Sequence, residues 1–286
     1  MSESNLISLP DIVAARDRIR GVAVYTPLVR VDERRLRAVG FPSGGRSPEL
    51  WLKNEAAQPI GSFKLRGAYN KMAALRERNP EALQRGVITF SSGNHAQGVA
   101  YAARALGTKA VIVMPNNAPT VKRDATEALG AEVVTVGPAS SERKRKAEAL
   151  VAEHGYAMIP PYDDMDIIGG QATCGLEIAE QLAALGAEHS KSSPGAESIY
   201  SSLRKTVVLS PVSGGGLLSG VASGLKLAGS AVTGEGPQVW GCEPELAGDA
   251  RESFYSRALV EWPAASTSRT LADGLRTQSL GELNFR

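Results

Sequence analysis

The residues best suited to covalent chemistry lie between Gly61 and Gly67, where the sequence reads Gly-Ser-Phe-Lys-Leu-Arg-Gly. Lys64 follows a serine and a phenylalanine and precedes an apolar run that predicts a helix. A lysine that points into a pocket is partly desolvated, and its amine can form a Schiff base with a carbonyl compound. The alternative is a solvated lysine in the first turn of an exposed helix, and these seven residues do not decide between the two.

A second candidate site is the run Ser-Gly-Gly-Gly-Leu at residues 213–217, which directly follows an apolar strand. Consecutive glycines let the backbone curl and direct several N–H groups at one anion, with a helix start behind them. The run lacks the Gly-x-x-x-x-Gly-Lys nucleotide motif and the spaced glycines of a dinucleotide site. It therefore predicts a phosphate site for a molecule smaller than a nucleotide, and a flexible turn is the alternative.

Two further groups of polar residues follow predicted strands. Residues 91–95, Ser-Ser-Gly-Asn-His, come after the strand that ends at Phe90 and could hold a carboxylate at a helix start. A helix cap needs only one such residue, so the group favours binding over capping. The acidic run after Cys242 could bind Mg²⁺ or Ca²⁺ or cap the next helix, and the residues alone favour capping.

Composition narrows the class of protein. The chain has 286 residues, and 32 Lys and Arg nearly balance 30 Asp and Glu, which argues against a nucleic-acid binder. The basic run 143–146 is interpreted mainly as a solvated helix face. The two cysteines, Cys174 and Cys242, form no disulfide framework. No signal peptide or membrane span is recognised, so we expect a cytoplasmic protein without a membrane partner.

From residue 86 onward, apolar strands alternate with helices. This alternation predicts an α/β fold with a parallel sheet and crossover helices. Ligands of such sheets bind at the carboxyl ends of the strands, where the polar and glycine-rich groups above lie. The Ser-rich stretch 187–203 is interpreted as a surface loop.

A reactive lysine, a phosphate loop without nucleotide motifs and a carboxylate site together fit pyridoxal 5′-phosphate (PLP). The sequence resembles the fold-type II PLP enzymes of the serine/threonine dehydratase (threonine ammonia-lyase) and serine racemase family, over almost the whole chain. The motifs that carry this resemblance are Gly-Ser-Phe-Lys-x-Arg-Gly-Ala, Ser-Ser-Gly-Asn-His-x-Gln, Ser-Gly-Gly-Gly-Leu and the Ala-Asp-Gly-Leu at Asp273.

The resemblance implies roles for individual residues. Lys64 would form the Schiff base with PLP and then remove the substrate's α-proton, and Ser92 is the second catalytic candidate. The implied cofactor-binding residues are Phe63, Lys64, Asn94, Ser213, Gly214, Gly215, Gly216, Leu217 and Gly274. The implied substrate-carboxylate residues are Ser91, Ser92, Gly93, Asn94 and His95, with Arg143 as a second anchor. Glu243, the carbonyl of Ala247 and Asp249 match the family's divalent-metal spacing, which places the metal interpretation above capping.

The family fold is tryptophan synthase beta-like, with two lobes, parallel sheets and helices on both faces. The resemblance implies a large PLP-binding lobe, residues 1–85 and 164–286, and a small inserted lobe, residues 86–163. Closure between the lobes would exclude water from the reacting carbanion. We also expect a homodimer on the same grounds.

The activity implied is a PLP-dependent ammonia-lyase that converts L-threonine or L-serine to a 2-oxo acid and ammonia. Ser92 stands where members that racemise serine have serine, so serine racemase and 3-hydroxyaspartate dehydratase activities stay open. The family normally continues some tens of residues past Arg286, and that tail supplies the hydroxyl partner of the pyridine nitrogen. We therefore keep one alternative of another class, an inactive relic or a ligand-binding protein with this fold.

Overall fold

A parallel sheet and a long central helix organise the part of the chain that the structure describes. The structure is a computed structural model, and it describes residues 6–41, 48–91, 93–137, 140–192, 206–233 and 237–286. The helices are α1 Leu9–Ile19, α2 Glu33–Ala38, α3 Lys64–Arg78, α4 Pro80–Arg85, α5 Asn94–Leu106, α6 Thr120–Ala128, α7 Ser140–His154, α8 Met165–Ser192, α9 Gly216–Thr233, α10 Asp249–Ser256, α11 Ala264–Thr267 and α12 Glu282–Phe285. The strands are β1 Leu28–Arg30, β2 Trp51–Lys53, β3 Val87–Phe90, β4 Ala110–Pro115, β5 Glu132–Val136, β6 Ala157–Met158, β7 Val207–Pro211 and β8 Gln238–Cys242.

The larger sheet has the strand order β5-β4-β3-β6, and all its pairings are parallel. Every residue of β4 is buried, because its alternate side chains enter two cores. Ile112 and Met114 pack in the core that contains α5, whereas Val111 and Val113 pack with Ala147 of α7. Helices therefore cover both faces of this sheet, as the alternation of elements predicts.

The helix α8 packs against α1, α3 and α9. Glycines let these helices approach each other closely. A Cβ on Gly170 would lie 2.5 Å from the Arg66 carbonyl oxygen, and a Cβ on Gly175 would lie 2.4 Å from the Val221 carbonyl oxygen. The contact at Gly170 places the backbone of α8 against α3, the helix that begins at Lys64, and so fixes the position of α3.

Two smaller sheets complete the described strands. β1 and β2 pair antiparallel, and β7 and β8 pair parallel. One face of the β7–β8 pair packs on α8 and α9, through Val208 and Val239. The opposite face is exposed at Val207, Leu209 and Trp240, so helices of the described chain cover this pair on one face only.

The prediction of a loop over residues 187–203 is wrong for its first part. Helix α8 continues to Ser192, and the rest of that stretch lies outside the described residues. Residues 187–192 contain neither glycine nor proline, so nothing local ends the helix after Gly186. Serine content alone was a poor signal for a loop here.

We expect Gly170→Ala to destabilise the fold by about 2 kcal/mol or more, because its new Cβ meets the backbone of α3. Gly169→Ala is the matched control in the same helix, since its Cβ would meet side chains and no backbone, the nearest atom being the flexible end of Ile7 at 3.2 Å. Both changes gain the same helix propensity. Urea unfolding measures the difference, and equal stabilities for the two variants would contradict the close contact between α3 and α8.

Candidate active site

Lys64 is the first residue of α3, and its side chain is partly buried. The Nζ atom donates a hydrogen bond to the Pro161 carbonyl, at 2.7 Å, and lies 5.4 Å from the centre of the Phe63 ring. Burial disfavours the charged amine and lowers the pKa of Lys64 to about 8. A substantial fraction of this amine is therefore neutral near pH 8, which is the form that attacks a carbonyl.

Arg66 anchors the start of α3 two residues after the lysine. Its side chain is completely buried and forms ion pairs with Glu55, at 2.8 Å, and with Glu177 of α8, at 2.6 Å. Further hydrogen bonds run to Thr173 and to the Val24 carbonyl. The two carboxylates hold the pKa of Arg66 far above its usual range, so the guanidinium stays charged.

A second cation completes this buried network. Lys53 of β2 donates to Glu177, at 2.6 Å, and to the Thr26 carbonyl. The network thus contains two cations, Arg66 and Lys53, and two carboxylates, Glu55 and Glu177. Its charges balance and its polar groups are bonded to one another, which is the condition for burying ions. Arg66 is therefore ion-paired within the protein on both sides.

The polar group at residues 91–95 lies beside the lysine. Helix α5 begins at Asn94, and a Cβ on its Gly98 would lie 3.2 Å from the Lys64 carbonyl oxygen. No side chain caps α5 within the described residues, and Asn94 is exposed at its start. The Ser91 hydroxyl accepts a hydrogen bond from the Gly93 N–H. Ser92 lies outside the described residues.

His95 is the buried member of this group. Its Nε2 lies 3.0 Å from the Ile159 carbonyl oxygen. Burial, reinforced by the positive charge of Lys64, lowers the pKa of His95 to about 3. The ring is therefore neutral, and Nε2 carries the proton that it donates to the carbonyl.

The glycine loop, residues 213–217, is held from two sides. Gly215 has φ +94°, a conformation that side chains rarely adopt. A Cβ on Gly214 would lie 2.4 Å from the Tyr162 ring, and a Cβ on Gly215 would lie 2.6 Å from the Asn284 Cβ. The N–H groups of the three glycines bond to no acceptor recorded among the described residues. The loop can therefore offer these donors to an anion, as the sequence predicts.

The C-terminal segment supports the same loop. The Gly281 N–H donates to the Gly214 carbonyl, at 3.0 Å, and the hydroxyls of Ser213 and Thr277 lie 2.9 Å apart. Asp163 accepts hydrogen bonds from the N–H groups of Glu282 and Leu283 and so caps α12.

One short segment after β6, residues 159–163, connects these parts. Its carbonyls bond the His95 ring and the Lys64 amine, its Tyr162 packs on the glycine loop, and its Asp163 caps α12. Sequence reasoning did not select this segment or Asn284. The signal was present, because Ile-Pro-Pro-Tyr-Asp-Asp follows a strand as the other candidate groups do.

No contact with Lys64 or the glycine loop is seen for two further predicted site residues, Gly274 and Arg143, among the described interactions. Gly274 is exposed, and the space around its backbone is open. The preceding residue, Asp273, forms an ion pair with Lys122 of α6, at 2.5 Å. Arg143 is half-buried in α7, and burial lowers its pKa.

Glu243 and Asp249 lie at the start of α10. Glu243 accepts hydrogen bonds from the N–H groups of Ala250 and Arg251, so it caps the helix. Asp249 is buried, and its Oδ2 has no hydrogen-bond donor among the described residues. Burial, together with the nearby charge of Glu243, raises the pKa of Asp249 to about 6. No three His, Cys, Asp or Glu side chains of the described chain gather as a metal-binding group.

A family model described as pyridoxal-phosphate dependent enzyme matches residues 20–286. The chain belongs to this family. The prediction of a fold-type II PLP enzyme with an α/β fold is thereby confirmed. The lysine amine of lowered pKa and the open donors of the glycine loop fit an aldehyde that carries a phosphate, so the residues present suit PLP.

Relatives of known name span most of the chain. An L-threo-3-hydroxyaspartate ammonia-lyase of Saccharomyces cerevisiae is 36% identical over 277 residues, which cover 96% of this chain and 72% of that protein. The crystal structure of a threonine deaminase from T.th. has a TM-score of 0.79 and 41% identity, and the match covers 98% of this chain and 78% of that one. The structure of maize serine racemase has a TM-score of 0.79 and 31% identity, and the match covers 97% of this chain and 72% of that one.

We expect Arg66→Met to lower the free energy of unfolding by about 3–5 kcal/mol, because it leaves Glu55 buried without its cation and leaves Glu177 with Lys53 alone. Arg16→Met is the matched control, since it removes a half-exposed pair with Glu180 and should cost no more than about 1 kcal/mol. Urea unfolding at pH 7 measures both values. Similar losses in the two variants would contradict the role assigned to the buried network.

We expect Asp249→Asn to stabilise the metal-free protein at pH 7 by about 1–3 kcal/mol. A carboxyl whose pKa rises on folding, here from 3.8 to about 6, destabilises the fold as the pH rises through that window. The gain should therefore vanish near pH 4. Thermal unfolding with a chelator present measures it, and an asparagine variant less stable than wild type at pH 7 would contradict the unbonded carboxylate.

Proposed function

We propose that the chain is a PLP-dependent ammonia-lyase that converts L-threonine or L-serine to the corresponding 2-oxo acid and ammonia. The observation that carries the proposal is the common support of three groups by residues 159–163. These groups are the Lys64 amine, the His95 helix start and the glycine loop. The names of the relatives, which include a threonine deaminase and an ammonia-lyase, support the same reaction class.

Bound PLP would supply the electron sink that stabilises negative charge at the substrate α-carbon. The residues that would hold it are Phe63 and Lys64, Asn94, the glycine loop and Gly274. Lys64 would be the residue that holds the aldehyde group, and its amine would be the base for the substrate's α-proton. Its lowered pKa suits both tasks, because the neutral amine is the nucleophile and the base.

The substrate carboxylate would bind at the start of α5. The support is the absence of a side-chain cap on this helix within the described chain, which leaves N–H groups available for an anion. Ser91, Gly93, Asn94 and His95 surround this position in the sequence, and His95 would act by holding the helix on the segment after β6 rather than by carrying charge.

The choice of substrate has a second candidate, 3-hydroxyaspartate. Two relatives that span most of the chain carry the name L-threo-3-hydroxyaspartate ammonia-lyase, which favours a substrate with a second carboxylate. Arg143 is the cation proposed to anchor that group. Serine racemisation is the other activity proposed, with Ser92 returning a proton to the opposite face of the α-carbon, since one structural relative is a serine racemase.

The remaining proposals concern assembly and ions. Residues 86–163 would form a small lobe that closes on the large lobe, and two copies would form a homodimer. Glu243, Asp249 and the Ala247 carbonyl would hold Mg²⁺ or Ca²⁺, because a cation would balance the buried, unbonded Asp249 oxygen.

No helix of the described residues is long and apolar enough to cross a membrane. Both cysteines are free, which suits the reducing cytoplasm that we propose as its compartment.

Borohydride reduction followed by peptide mapping tests the cofactor attachment. We expect the reduced adduct on residue 64, and none in Lys64→Ala. Lys71→Ala is the matched control, because that lysine lies in the same helix with its amine on Asp164 and Asp166. Attachment should accelerate as the pH rises from 6 to about 8 and level off above it, since only the neutral amine reacts.

Release of 2-oxo acid from threonine, serine and 3-hydroxyaspartate then tests the reaction. Racemisation of serine is measured in the same samples by chiral chromatography. A protein that carries the adduct on residue 64 but releases no 2-oxo acid from any of the three would overturn the lyase proposal. It would leave the ligand-binding alternative.

A further inference from the structure

Asp163 lies between the two parts of the site that a phosphorylated aldehyde needs. Two residues before it, the Pro161 carbonyl accepts the hydrogen bond of the Lys64 amine, at 2.7 Å. On the other side, the Asp163 carboxylate accepts the N–H groups of Glu282, at 3.2 Å, and Leu283, at 2.9 Å. Asp163 therefore joins the segment that holds the lysine to the start of α12.

The fit between Asp163 and the start of α12 is close. The residue before this helix is Gly281, which is buried. A Cβ on Gly281 would lie 2.4 Å from Oδ1 and 2.5 Å from Cγ of Asp163, so the carboxylate occupies the space beside its backbone. Because Asp163 packs on Gly281 and bonds the next two N–H groups, it fixes the direction of the Gly281 N–H.

That N–H group orients one peptide of the glycine loop. It donates to the Gly214 carbonyl oxygen, at 3.0 Å. In a trans peptide the carbonyl oxygen and the following N–H point in opposite directions. The Gly214 carbonyl points at the C-terminal segment, so the Gly215 N–H points to the other side of the loop. This N–H has no acceptor recorded among the described residues, so it is available to an anion on that side.

The other contacts of the loop do not set this peptide. The Tyr162 ring packs on Gly214, and the Asn284 side chain packs on Gly215, in both cases without a hydrogen bond to the peptide between the two glycines. Among the described residues, Gly281 is the donor recorded on the Gly214 carbonyl. The direction of the Gly215 N–H therefore depends on the placement of Gly281.

We propose that Asp163 is a positioning residue for phosphate binding. It holds Gly281 so that the Gly214 carbonyl is drawn to the C-terminal segment and the Gly215 N–H is directed at the phosphate. Asp163 does not touch the ligand, and a negative charge by itself disfavours a nearby anion, so its contribution is one of geometry. The proposal rests on the proposed function in taking PLP as the phosphate ester that binds.

Titration calorimetry with pyridoxine 5′-phosphate, on the full chain freed of PLP, tests the proposal. This compound carries the phosphate and lacks the aldehyde, so attachment to Lys64 does not contribute. We expect Asp163→Ala to weaken its binding about tenfold, as the loss of one hydrogen bond to a charged group does. Asp163→Asn keeps an oxygen that can cap α12, and its affinity should stay within about threefold of the wild type.

Two controls separate positioning from a general loss of stability. Asp32→Ala removes a carboxylate that caps another short helix, α2, through the Arg34 N–H, at 2.8 Å, and it should bind pyridoxine 5′-phosphate as the wild type does. Pyridoxal has the aldehyde and no phosphate. Its attachment to Lys64, followed by absorbance, should be equal in Asp163→Ala and the wild type.

Unchanged or tighter binding of pyridoxine 5′-phosphate by Asp163→Ala overturns the proposal, since loss of the charge alone would tighten it. An equal weakening for pyridoxal or in Asp32→Ala, or no recovery in Asp163→Asn, overturns it too. If the alanine variant does not fold, Asp163→Ser replaces it. Failure of both to fold assigns Asp163 to stability alone and also overturns the proposal.

The wild type separates these outcomes from the fate of the proposed function. A wild type that binds PLP while any of the results above is obtained, or while pyridoxine 5′-phosphate does not bind, contradicts the role of Asp163 alone. A wild type that binds neither compound contradicts the proposed function as well.

Discussion

The buried ion network around Arg66 is the interaction on which the rest of the site depends. Arg66 binds Glu55, just before the lysine segment, and Glu177 of α8, and Gly170 brings α8 against the same turn of α3. The guanidinium has the donors to satisfy both carboxylates at once, which makes complete burial tolerable. Because Lys64 begins α3, the position of its amine follows from these contacts.

Residues 159–163 connect helix α3 with the other parts of the candidate active site. They contribute mainly backbone groups: two carbonyls accept hydrogen bonds from His95 and Lys64, and the backbone of Tyr162 accepts from Asn284. Backbone acceptors cannot be charged or moved by a rotamer change, so they hold a lysine without forming an ion pair. The amine therefore keeps a lowered pKa, whereas a carboxylate partner would have raised it.

The charge of the neighbouring group distinguishes Asp249 from the other buried carboxylates. Glu55 and Asp166 have cations beside them, and the pKa of each is lowered despite burial. Asp249 has Glu243 beside it instead, and its pKa is raised. An unbalanced buried carboxylate is costly in a structure that elsewhere pairs its ions, and this imbalance is the physical support for a cation at that position.

The sequence by itself predicted the parallel strands of residues 86–159, the start of α3 and α5, and the lysine and glycine loop as chemistry-bearing groups. These features are local: alternating hydrophobicity, glycine runs and helix boundaries are properties of neighbouring residues. It failed at residues 187–192, where composition suggested a loop and helix continued. It also did not select Pro161, Tyr162 and Asn284.

Only the tertiary structure decided which groups meet. Pro161 accepts from a lysine 97 residues earlier, and Asn284 lies against a glycine far from it in sequence. Every residue has a backbone carbonyl, so the sequence does not show which carbonyl will accept a hydrogen bond from the site. An asparagine in a short C-terminal helix has no sequence feature that distinguishes it from a polar surface residue. Contacts between distant segments depend on how helices and sheets pack, so the composition of the site follows from the fold rather than from any single motif.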